Sequence, residues 1–150
     1  MSRSFHIGED AADHVAVEVL AREHPDKSDY WDGNWLTANV DVACGPWHGK
    51  YRAALRAEEF AHFRDQLQRL DDDGEAPPAE FESMEPWLRF NVHRSDRHGH
   101  LRVSGHAQTE PFFDSHNIMY FVLELEQSFM TTTLDELARV VEEFPVIGSR

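Results

Sequence analysis

The chain has 150 residues, with 28 Asp and Glu against 14 Lys and Arg, giving a formal net charge of −14. Acidity of that size repels nucleic acid and anionic membrane and favours a basic protein partner. The apolar share of 41% is ordinary for a folded protein, no apolar run is long enough to span a bilayer, and Cys44, the only cysteine, has no partner for an internal disulfide. One domain over residues 1–150 is expected at this length. The stretch from Met1 to Asp10 lacks the basic and apolar regions of a secretory leader, so a reducing, cytoplasmic setting is expected.

Asp13 to Leu20 alternates, with Val15, Val17 and Val19 on one face, and predicts a strand. His24 to Gly33 is polar, contains Pro25 and predicts a loop. Trp35 to Cys44 alternates again, with Leu36, Ala38, Val40 and Val42 facing one way and Trp35, Thr37, Asn39 and Asp41 the other. Gly45-Pro46 suits a type II′ turn. A two-residue loop pairs Cys44 with Trp47. The same register sets Val40 opposite Tyr51, Leu36 opposite Leu55, Asp41 opposite Lys50 and Trp35 opposite Arg56. Opposite charges and an aromatic–cation pair are favourable cross-strand neighbours.

From Glu58 to Leu70 the period becomes helical, with Phe60, Phe63, Leu67 and Leu70 as one stripe. Glu58 and Glu59 fall in the first turn, where the helix dipole favours acid, and Gly74 is the stop signal. Pro77-Pro78 marks a loop. Pro86 to Arg94 and His100 to Gln108 predict a second hairpin around the turn Asp96–Gly99, pairing His93 with Arg102, Asn91 with Ser104 and Arg89 with His106. Glu110 to Asn117 reads as a loop. Ile118 to Glu126 is rich in β-formers and apolar on both faces in its first half, which predicts a central strand. Met130, Leu134, Leu137, Val141 and Phe144 then mark a helix that Pro145 closes. The expected fold class is α+β: a mainly antiparallel sheet of about five to seven strands with two amphipathic helices packed on one face.

Chemistry is sparse. Ten histidines invite a metal reading, but their spacing matches no standard zinc pattern, and Arg89 and Arg102 would repel a cation. Cys44 sits at a strand end and reads as a small buried thiol. Glu124 and Glu126 share a strand face, as any such pair does. No phosphate-binding loop, dinucleotide fingerprint or zinc-protease motif is present. No catalytic residue, cofactor or metal is therefore expected. Trp31, Trp35, Trp47 and Trp87 are possible interface anchors. Trp35 and Trp47 lie on opposite faces of their hairpin, so at most one is pure core.

Acid is segregated along the chain. Between Glu58 and Glu85 lie Glu58, Glu59, Asp65, Asp71, Asp72, Asp73, Glu75, Glu80, Glu82 and Glu85, opposed only by Arg64 and Arg69. Such a run commonly forms solvated loops and helix faces. It also suits docking to a cationic protein.

A set of segments in order carries a resemblance: Asp32-Gly-Asn-Trp-Leu36, Gly45-Pro-Trp-His-Gly-Lys-Tyr51, Glu58-Glu-Phe60, Gly74-Glu-Ala76 and Glu85-Pro-Trp-Leu88. Gly99 and Gly105 of the second hairpin follow, then Asn117-Ile-Met-Tyr-Phe121, Glu124-Leu-Glu-Gln-Ser-Phe129 and Phe144-Pro-Val-Ile-Gly148. Over residues 13 to 148 this order resembles the WapI-family immunity proteins of bacterial toxin systems, with Glu126 standing where the family favours Asp. The resemblance implies a non-enzymatic protein that binds and neutralises a cognate toxin of the nuclease kind. An acidic protein can occupy the basic cleft such a toxin needs. Asp65, Asp71, Asp72, Asp73, Glu75, Glu80, Glu82, Glu85 and Trp87 are the docking candidates under that reading. Two alternatives stand beside it: a protein- or peptide-binding module with no toxin partner, and a small enzyme using His93, His100 or His106. The self-repelling charge favours a monomer.

Overall fold

The described residues form eight strands, not five to seven, in two antiparallel sheets rather than one. The computed structural model describes residues 3–9 and 11–150; Met1, Ser2 and Asp10, which the leader and charge readings include, lie outside them. The first sheet has the order β1 (Arg3–Gly8), β2 (His14–Arg22), β3 (Trp35–Cys44), β4 (Trp47–Arg56). The second has the order β5 (Ala79–Glu82), β6 (Leu88–Arg94), β7 (His100–Gln108), β8 (Ile118–Glu126). Three helices occur among the described residues: α1 (Tyr30–Gly33), α2 (Ala57–Asp72) and α3 (Phe129–Glu143). None among the described residues is long and apolar enough to cross a membrane.

The strands that the sequence reading lacked are the ones with the least alternation to show. β1 buries only Phe5 and Ile7, and β5 only Ala79 and Phe81, beside a diproline and among acids. The helical α1 lies inside the segment read as loop. Both hairpins adopt the registers that their sequences predict, from Cys44↔Trp47 to Trp35↔Arg56 and from Arg94↔Leu101 to Leu88↔Ala107. Gly45 holds φ at 56°, the left-handed value a type II′ turn places before Pro46. β8 is a correction: it is an edge strand, not a central one. Its odd residues point into the core, and Ile118, Tyr120 and Val122 face solvent. Trp47, at the hairpin tip, is 69% exposed, and Trp35 is half-buried.

The inner faces of both sheets and the apolar stripes of α2 and α3 share one core. At its centre the rings of Phe5, Phe60, Phe63, Phe81 and Phe90 meet at centroid distances of 5.2 to 6.1 Å. Each such burial stabilises by about 1.5–3 kcal/mol. The helices do not lie together on one sheet face. They pack on each other, with α3 along β1 and α2 along β5, and both close an open sheet edge. The His6 amide donates to Glu136 Oε1 (3.0 Å), and Thr133 Oγ1 donates to the His6 carbonyl (2.6 Å). The Glu80 amide donates to Gln66 Oε1 (2.8 Å). Unpaired edge groups would otherwise template pairing with other chains. On the opposite side, Cys44 Sγ, half-buried, donates to the Val122 carbonyl (3.2 Å) and ties the β3–β4 tip to β8.

A buried cation joins β4 to α2. Arg56 is 1% exposed. Its guanidinium donates to the carbonyls of Trp31 and Tyr30 (both 2.7 Å) and to Glu58 Oε2 (2.6 Å). The rings of Trp35, Tyr30 and Trp31 surround it at 4.8, 5.3 and 5.8 Å. Fully buried Asn34 adds a second tie. Its Nδ2 donates to the carbonyls of Tyr30 and Ile147 (both 2.9 Å), and its Oδ1 accepts from the Ile147 amide (3.0 Å). Gly33 leaves the space: a Cβ there would lie 2.6 Å from Ile147 Cδ1. Removing one member of a buried, hydrogen-bonded ion pair costs about 3–5 kcal/mol. Arg56→Met is expected to lower unfolding stability by that order in urea titration. Arg56→Lys is expected to fall well short of wild type, because an ammonium cannot reproduce the planar fork.

Candidate functional site

The run of acid between Glu58 and Glu85 folds back on itself. α2 leads out and β5 returns antiparallel to it, with the alignment fixed by two hydrogen bonds: Gln66 to the Glu80 amide, and Glu59 Oε2 to the Met84 amide (2.6 Å). Carboxylates far apart in sequence are thereby gathered along one seam. At its α1 end the seam opens into a cleft of about 520 Å³. Glu58, Glu59, Glu80 and Glu82 line it, with Tyr30, Trp31 and Met84 as apolar walls and His62, Arg89 and Arg150 as the basic groups.

The walls are held from beneath. The Arg56 bonds fix the Tyr30 and Trp31 backbone, and Tyr30 OH donates to Glu58 Oε2 (3.0 Å). Glu58 Oε1 is buried without a hydrogen-bond partner among the described residues. Trp31 is half exposed, and the Arg150 guanidinium lies 5.8 Å above its ring. The cleft therefore already hosts one cation–aromatic contact. Its chemistry suits binding of cationic groups: carboxylates at the rim, aromatic faces in the wall.

The nine docking candidates are distributed along this seam and beyond it. Glu80 and Glu82 are exposed and line the cleft. Asp65 is exposed on α2 beside Gln66 and pairs with Arg64 (3.1 Å). Asp71, Asp72, Asp73 and Glu75 form the far end, where Asp72 accepts from Gln68 (3.0 Å) and Asp73 Oδ1 accepts from the Glu75 amide (3.0 Å). Glu85 accepts from the Trp87 indole (3.1 Å). Trp87 is half-buried outside the cleft, stacked on Tyr51 of β4 with ring centroids 6.4 Å apart. The aromatic residues in the cleft are Tyr30 and Trp31, and Trp31 is the more exposed. Its approach to Glu58 depends on Arg56, a contact between distant segments that periodicity does not register.

The histidines set aside for an enzymatic alternative do not share a site. His93 contacts Asn91 (3.0 Å), His100 pairs with Asp96 and with Glu126 (3.1 Å), and His106 lies beside the Tyr120 ring at 5.9 Å. Among the described residues no group of three His, Cys, Asp or Glu is placed to hold a metal ion.

Two buried titrating groups lie in this frame. Burial, reinforced by neighbouring Glu58, pushes the Glu59 carboxyl up to about 7 from 4.5, against the pull of the Arg56 and Met84 amides that donate to it. His14 is 7% exposed. Burial alone would lower it, but Nε2 faces Asp41 Oδ1 (3.0 Å) and Nδ1 faces the Ala12 carbonyl (2.8 Å), and together these raise it above 6.5. Folded Glu59 keeps its proton up to about pH 7 while the unfolded carboxyl loses it near 4.5. The folded state thus binds more protons in that window, and stability falls as pH rises through it. The contribution of His14 is present below 6.5 and is lost as pH rises through its raised value. Stability is expected to drop between about pH 4.5 and 7.5, by on the order of 2–3 kcal/mol from Glu59. Denaturant midpoints across that range check this, and Glu59→Gln is expected to flatten the curve.

The family model for the immunity protein WapI-like family matches residues 6–145. No curated protein matches the chain. The match runs from within β1 to just beyond the end of α3, so the chain belongs to the WapI-like family of immunity proteins.

Proposed function

We propose that this protein binds and neutralises a cognate toxin of the nuclease class, acting in the cytoplasm as a single domain and without catalysis of its own. Family membership supports an immunity role. The observation that carries the finer reading is the seam of carboxylates between α2 and β5, opening into a cleft with Trp31 and Met84 in its wall. A nuclease holds its phosphodiester substrate with basic residues. Those residues are what an array of fixed carboxylates recognises, and occupying them excludes nucleic acid. The net charge of −14 adds long-range steering, which raises the association rate and weakens with salt. In this mechanism Glu80, Glu82 and Asp65 meet the toxin's cations, Trp31 supplies the aromatic anchor, and Asp71, Asp72, Asp73 and Glu75 extend the field.

The tagged chain is expected to capture from its source cells a basic protein with a nuclease domain, and to abolish that domain's cleavage of nucleic acid when the two are mixed. Raising salt is expected to slow association. The double charge reversal Glu80→Lys and Glu82→Lys is expected to reduce the association rate at least tenfold while leaving the fold intact, because both side chains are exposed. A captured nuclease that cleaves equally well in the presence of the chain would refute neutralisation. Undiminished association by the charge-reversed chain would move the docking surface elsewhere.

A further inference from the structure

A second surface lies on the side of the molecule that the helices leave open. Six large apolar side chains are exposed there or in the loop that leads to it: Trp47 at the β4 hairpin tip, Phe112 and Phe113 in the β7–β8 loop, and Ile118, Tyr120 and Val122 on the outer face of β8. Trp47 is 69% exposed and Tyr120 78%. Between β4 and β8 runs a groove of about 510 Å³, lined by Trp47, Gly49, Tyr51, Ile118, Met119 and Tyr120. Free edges and exposed apolar side chains coincide here, whereas α3 and α2 cover β1 and β5. Exposed apolar patches of this extent on soluble proteins mark association sites.

We infer that this face is the contact of a symmetric homodimer, in which Trp47 and Tyr120 of each copy pack against the groove of the other. Area supports a second copy. Taking aromatic side chains at ~150–250 Å² each, Trp47, Ile118, Tyr120 and Val122 alone expose on the order of 500 Å² before the groove walls are added, against about 800 Å² per partner in a standard stable interface. Charge supports it too. The carboxylates on the outer face of β8 beside Val122 are paired, Glu124 with Arg102 (2.6 Å) and Glu126 with His100 (3.1 Å), and Glu110 and Asp114 lie in the loop before it. Two copies meeting through the Trp47–Tyr120 groove bring together paired rather than bare carboxylates of β8, and the carboxylate seam of α2 and β5 belongs to other elements. A basic toxin finds little to recognise on such a face, and an anionic bilayer is repelled by the rest of the protein. The densest run of acid, from Glu58 to Glu85, thus lies on α2 and β5 and not on the elements that form this surface. A two-fold contact also closes on itself, so it yields a dimer and not a filament.

Sedimentation equilibrium of the full chain over about 1–200 µM, at low and high salt, tests this. Twice the monomer mass is expected at the upper concentrations, with association equal or stronger in high salt, opposite in sign to the toxin contact. Trp47→Ser and Tyr120→Ser are each expected to raise the dimer dissociation constant about tenfold or more, with unchanged circular dichroism. Val122→Lys provides a second disruption at another exposed position. A monomer at every concentration in both salts overturns the inference. So does a dimer that high salt dissolves, or one that these substitutions leave untouched. None of these outcomes bears on whether the monomer neutralises a nuclease.

Discussion

Burial of the Arg56 guanidinium is the constraint around which the rest is arranged. A cation withdrawn from water is costly unless its lost hydration is replaced in full. Here two carbonyls and a carboxylate take its donors, and three aromatic rings present their faces to it. These partners come from α1, from the first residue of β3 and from the first turn of α2. One side chain therefore fixes where the first sheet ends, where α2 begins and how Tyr30 and Trp31 stand over the cleft. Asn34 extends the same junction to the segment after α3 by clasping both backbone groups of Ile147.

Several of the residues that carry the family resemblance are interior fasteners of this kind. Gly33, Asn34, Trp35, Glu58, Glu59 and Ile147 meet around Arg56 and Asn34. Tyr51 and Trp87 stack on each other and join β4 to the segment before β6. The cleft carboxylates Glu80 and Glu82 are not among these segments. A frame held from inside can present different surface side chains without disturbing its own stability, since exposed substitutions cost little. That division suits proteins that share a fold while each meets its own partner.

Legibility in the sequence followed the length of the pattern. Ten alternating residues on either side of Gly45-Pro46 specify face, register and turn together, and the hairpin forms in that register. α2 and α3 show their apolar stripes over four turns. β1 and β5 offer two buried side chains each, too few to establish a period of two. Their places are set by partners elsewhere: β2 and α3 for one, β6 and α2 for the other. The second sheet followed from that omission, because without β5 the strands after α2 have no edge of their own. Apolar residues on both faces of β8 suggested a central strand, but the outer face is covered by nothing. The same ambiguity touched the site. Acid content marked the segment from Glu58 to Glu85, while the cleft's aromatic wall depended on a contact between Arg56 and Trp31 that lies across the fold.

The cover over β1 has a consequence for how the protein is made. The groups that satisfy the edge of β1 lie 127 and 130 residues downstream in α3. A ribosome therefore releases the first strand long before its cap exists. Until α3 arrives, the nascent first sheet carries an unpaired edge bordered by apolar side chains, the condition under which chains pair with the wrong neighbour. Shielding of that strand by chaperones, or pausing late in translation, then bears directly on the yield of folded protein.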